Sequence, residues 1–167
     1  MITTVIMHME QSMSLRGLLP FLACIAFSAP LAAQAAPTFL NPPGLSTPKG
    51  YTHAVVVPPG NRLVVISGQV ALDSTGKIVG AGSMTAQATQ VFENLKAALA
   101  GVGATFKDVV KLNTYVTNIG QSQAFRDVRD KYVNTAAPPA STLIEVRRLF
   151  RDEFIIEVEA MVAIPDR

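Results

Sequence analysis

Two glutamates placed two positions apart near the C-terminus, Glu157 and Glu159, are the residues of this chain best suited to moving protons. Side chains of an extended strand alternate between faces, so both carboxylates share a face with Ile155, Met161 and Ala163. A shared face allows an acid/base pair. It equally allows one carboxylate to hold an intersubunit hydrogen bond, and the sequence leaves both readings open. Ser141 has no histidine beside it in sequence to suggest a Ser–His pair. His53, the only histidine after residue 35, reads as a polar strand residue. With one histidine and no cysteine in that region, no metal-ligand set and no cofactor is expected. Arg147, Arg148 and Arg151 lack the interleaved aromatics of an RNA-binding surface. A net charge of +2 makes no electrostatic case for nucleic acid or an anionic membrane.

The elements that must position these residues follow from periodicity. Phe154, Ile156, Val158, Ala160 and Val162 give the strand 154–163 one wholly apolar face, which should lie against helices. The opposite face carries the glutamates among apolar neighbours, a composition that fits a subunit contact. A second strand, its partner, is read over 138–149. Ala88, Val91, Phe92, Leu95, Ala98, Leu99 and Val102 recur at three and four, the apolar stripe of a helix capped by Ser83 and ended by Gly101 and Gly103. Residues 108–116 alternate as a strand. A second helix opens at Asn118 or Gly120, with Phe125, Val128 and Tyr132 on one face and Arg126, Asp127, Arg129, Asp130 and Lys131 on a solvated one. Upstream, 51–57 and 62–69 read as a hairpin turning at Pro58–Asn61, and Leu63–Ile66 as a strand buried on both faces. Residues 77–79 make at best a short edge strand. The sum is an α+β layer: one mixed sheet with two helices on one face.

The runs PPASTLIEVRRL and IIEVEAMVA resemble the C-terminal signature of the RidA/YjgF family, written P-A-R-S-x-V-E-V-x-x-L and then V-E-I-E-A. Ile66–Gln69 (ISGQ), Asp108–Lys111 (DVVK) and Tyr51–Ala54 match the same family in the same order. The resemblance implies a chorismate-mutase-like single domain over 51–167. It also implies a homotrimer with small-molecule clefts between subunits, and hydrolysis of reactive enamines or imines to carbonyl compounds and ammonia. By the same carry-over Glu157 places the attacking water, and Ser67 and Gly68 supply the backbone near the imine nitrogen. Tyr51, Thr142 and Leu143 line the cleft, and Arg126 falls where active members carry an asparagine. The family's substrate arginine is replaced by Ser141, with Ala140 the alternative in a shifted register. A hydroxyl does not replace a bidentate guanidinium. Losing such a contact costs about 2–5 kcal/mol, roughly 30- to several-thousand-fold. Substrate choice is therefore expected to be altered, or turnover replaced by plain binding of a small metabolite or partner.

The N-terminus reads as an export signal. Met13–Arg16 gives a positive start, 17–31 an apolar run shorter than the about 20 residues of a spanning helix, and Ala33-Gln34-Ala35 a cleavage site. Met13 begins a better signal than Met1, and Cys24 lies in the apolar run. Residues 1–35 are thus expected to be removed, leaving a Pro-rich extended arm at 36–50 and a periplasmic or secreted protein without a membrane segment. N-terminal sequencing from the native host is expected to start at Ala36; an intact Met1 or Met13 in the cytosol is the contrary result.

Overall fold

The computed structural model describes residues 35–166. The expected export signal, the alternative start at Met13 and Cys24 lie outside the described residues. No helix among the described residues is long and apolar enough to cross a membrane.

Eight elements carry the fold. They are β1 (Thr38–Leu40), β2 (Ala54–Val56), β3 (Asn61–Gln69), α1 (Met84–Gly101), β4 (Val109–Val116), α2 (Ser122–Arg129), β5 (Ala140–Glu145) and β6 (Ile156–Pro165). The main sheet runs β3-β6-β4-β5, with β6 antiparallel to both neighbours and β4 parallel to β5. It is a mixed sheet, and α1 and α2 cover one of its faces, as the periodicity predicts. α1 begins where expected: the Ser83 hydroxyl accepts from the Ala86 amide. Its stripe of Ala88, Val91, Phe92, Leu95 and Leu99 is buried against Leu112, Val116, Ile156, Val158, Ala160 and Val162 of the sheet. Gln87 is the polar member of that stripe. Its amide donates to the Glu153 carbonyl at 2.7 Å and accepts from the Ile155 amide at 3.0 Å, tying α1 to the segment that enters β6.

Four expectations are corrected. β2 pairs with β1, not β3, because Thr38–Leu40 offers it a free antiparallel edge; the Pro-rich arm therefore contains a strand and the 51–69 hairpin does not form. The strands read at 138–149 and 154–163 are not neighbours, since β4 lies between β5 and β6. β3 is not buried on both faces: Leu63 is 51% and Val65 67% exposed, because helices cover only the other side. The charged side of α2 is not uniformly solvated, as Arg129 is 5% exposed. The span 77–79 contributes one isolated bridge, Ile78 to Leu72.

Candidate functional site

The register of β5 decides which side chains meet. Ser141 and Leu143 stand opposite the buried Leu112 and Thr114 of β4, so they point to the helical side. There they line a cavity of about 250 Å³ with Lys49, Tyr51, Phe125, Arg126 and Arg129. α2 contributes three of these residues because Phe125, Arg126 and Arg129 lie within one helical turn. Tyr51 is held by its neighbour Thr52, which runs beside the start of β5. The Thr52 amide donates to the Pro139 carbonyl at 3.3 Å and its hydroxyl to the Pro138 carbonyl at 2.6 Å. The Tyr51 ring meets His53 edge-on, and His53 itself is engaged with the Ser46 carbonyl at 2.8 Å, within the arm.

Arg129 is buried on the strength of two local partners. Its Nε and Nη2 both reach Asp130 Oδ1, at 2.8 and 2.7 Å, and its guanidinium lies over the Phe125 ring at 5.8 Å. Gly50 makes the room. It has φ of +75°, and a Cβ there would overlap Arg129 Nη2, so both the backbone and the packing require glycine. Arg126 is partly exposed and Lys49 exposed. Among the described residues neither has an ion-pair partner, and no acidic side chain lines the cavity. Ser141 stands on the strand where the family pattern has arginine, and α2 brings the guanidinium groups of Arg126 and Arg129 to the same cavity.

A second cluster occupies the other face of the sheet. Glu157 stands opposite Tyr115 of β4, whose hydroxyl donates to Glu159. Gly68 lies in an irregular stretch of the β3–β6 pairing, between Ile66 and Gln69. A Cβ on Gly68 would overlap the Glu157 carboxylate, so the acid is lodged directly against that backbone. Burial, and then the charge of Glu159, push the Glu157 carboxyl above the usual glutamate range. The hydrogen bond to Glu159, with burial, raises the Tyr115 phenol. The exposed Ser67 sits beside them, and its carbonyl accepts from the Gln69 side chain at 3.0 Å.

The structure thus brings Tyr51, Arg126, Ser141 and Leu143 together on one side and Ser67, Gly68 and Glu157 on the other. Thr142 does not share a wall with Leu143. Adjacent strand residues face opposite ways, and Thr142 Oγ1 accepts from Lys111 Nζ at 2.6 Å on the outer face. Sequence reasoning missed Lys49, Phe125, Arg129 and Tyr115. Tyr115 was accessible from the alternation of β4; Lys49 carried no signal, since only the turn at Gly50 brings it in.

The sequence pattern of the family described as "Endoribonuclease L-PSP" matches residues 44–164. Protein DfrA of Myxococcus xanthus is 36% identical over 111 residues, covering 66% of this chain and 82% of that protein. A protein named 2-iminobutanoate/2-iminopropanoate deaminase, from Dermatophagoides farinae, is 32% identical over 114 residues, covering 68% and 85%. Among solved structures, the Rid-family protein YyfB of Yersinia pestis superposes with a TM-score of 0.72 at 35% identity, covering 78% of this chain and all of that one. RidA from an Antarctic Psychrobacter species gives 0.57 at 30% identity, covering 71% and 92%. With the sheet order, the helices on one face and the matched span in agreement, the chain belongs to the RidA/YjgF (Rid) family.

Proposed function

We propose that the protein hydrolyses short 2-imino acids, or their enamine tautomers, to 2-oxo acids and ammonia. The observation that carries this reading is the Glu157 carboxylate lodged against the Gly68 backbone, on the sheet face it shares with Tyr115 and Glu159. The named deaminase among its relatives supplies the substrate class. In this reaction water adds across the C=N bond while Glu157 takes a proton from it. The C–N bond then breaks, the carbon becomes a carbonyl and nitrogen leaves as ammonia, with no change of redox state.

The sheet separates Glu157 from the cavity at Arg126 within one protomer, so one chain does not hold both halves of such a site. Assembly resolves this. Leu63 and Val65 are exposed beside Glu157's face, and a closed ring of three copies covers them while setting one protomer's Glu157 towards its neighbour's α2 cavity. The test measures ammonia release from 2-iminobutanoate generated in situ, alongside sedimentation equilibrium. Accelerated release by a species of three chain masses is expected. A monomer at micromolar concentration, or release at the uncatalysed rate, contradicts the reading. Binding without turnover is the outcome that would favour a non-catalytic metabolite carrier.

A further inference from the structure

The cavity under α2 holds three cations and no acidic lining residue, in a chain whose whole excess charge is +2. Asp130 neutralises Arg129, so the charge left uncompensated is that of Arg126 and Lys49, which an entering anion would offset. The three cations are not equivalent. Two donors of Arg129 are already committed to Asp130, and the side chain is packed over Phe125, so it is mainly a fixed wall. Arg126 and Lys49 have no carboxylate within ion-pair distance among the described residues. Arg126 projects from the same helical turn that Phe125 and Val128 anchor in the core. Its guanidinium offers the planar pair of donors that a carboxylate accepts, with the Ser141 hydroxyl across the cavity as a further donor. Beside these, Tyr51, Phe125 and Leu143 supply apolar lining.

We propose that this cavity is the ligand's carboxylate anchor, with Arg126 as the bidentate contact and Lys49 as its electrostatic support. The charge-recognising residue has moved from the strand, where Ser141 stands, to helix α2. The volume limits the ligand: 250 Å³ holds the equivalent of roughly eight waters at about 30 Å³ each, room for a short monocarboxylate with a small apolar tail. The ligand class rests on the imine-hydrolysis reading; the anchor itself does not.

The experiment is calorimetric titration of the assembled protein with 2-oxobutanoate, butan-2-one and inorganic phosphate at matched ionic strength. The wild type is expected to bind 2-oxobutanoate, more weakly as salt rises, and butan-2-one not at all. Arg126→Gln should weaken 2-oxobutanoate binding roughly ten- to a few hundredfold, below the range for a buried charge pair because Arg126 is partly exposed. Arg126→Lys, which keeps the charge and loses the fork, should fall between them. Circular dichroism confirms that the variants fold, and Arg126→Lys serves alone if Arg126→Gln does not. Equal affinity of wild type and both variants overturns the anchor, as does absence of 2-oxobutanoate binding. Tighter binding of phosphate than of 2-oxobutanoate overturns the carboxylate assignment. Arg126-dependent binding without ammonia release by the wild type sinks the deaminase reading and leaves the anchor standing. Ammonia release with Arg126-independent binding does the reverse.

Discussion

Replacing Glu157 by glutamine is expected to slow imine hydrolysis by roughly 10²- to 10⁴-fold, the range for losing a positioned acid–base group. The amide fills the same space against Gly68 but cannot take a proton from water. Wild-type kcat/KM should also show an acidic limb set by this residue, because only the ionised carboxylate acts as base. Burial and Glu159 both raise the Glu157 pKa, so the limb lies above that of an ordinary glutamate, and Glu159→Gln should move it down. Stability runs the other way. With its folded-state pKa above the unfolded value, Glu157 favours the fold most when protonated, and that contribution is lost as pH rises through the raised pKa. Glu157→Gln should therefore melt no lower than wild type at neutral pH. A variant that keeps wild-type turnover and an unchanged acidic limb would remove Glu157 from the chemistry.

Mixing two impaired variants is expected to restore activity. In the proposed ring each cleft takes its anchor from one protomer and its Glu157 from the next. Co-refolding equal amounts of Arg126→Gln and Glu157→Gln then gives every cleft an independent chance of drawing an intact half from each side. About a quarter of the clefts in a random head-to-tail assembly should be whole, so ammonia release should return to about a quarter of wild type at low substrate. A site completed inside one protomer predicts no recovery at any ratio. The measurement does not depend on knowing the natural substrate, since any imine that the wild type turns over reports it.

Local pattern was enough for α1 and β4 and the faces they bury. Ser83, the apolar stripe from Ala88 to Leu99 and the alternation from Val110 to Val116 specify α1 and β4, because helix and strand periods differ and both bury one side. Partners were not legible in the same way. Nothing in Ala54–Val56 distinguishes an edge offered by Thr38–Leu40 from one offered by β3, since pairing depends on which backbone arrives free. Arg129 was misread for a related reason. Its charge suits solvent, and only Asp130, the Phe125 ring and the space left by Gly50, far away in sequence, make burial tolerable. The separation of Ser141 from Glu157 needed the register of β5 against β4, which no motif carries.

The position of β6 bears on how the chain comes into being. It comes last along the chain among the described strands, yet it sits inside the sheet between β3 and β4, with Gln87 of α1 tied to the segment that enters it. Until residues 156–165 leave the ribosome, β3 and β4 have no strand between them and α1 has little sheet to cover. Contacts between distant parts of the chain then form together and late. Stepwise folding of the sheet from its N-terminal strands is thereby disfavoured. Loss of β6 removes the middle of the sheet rather than an edge.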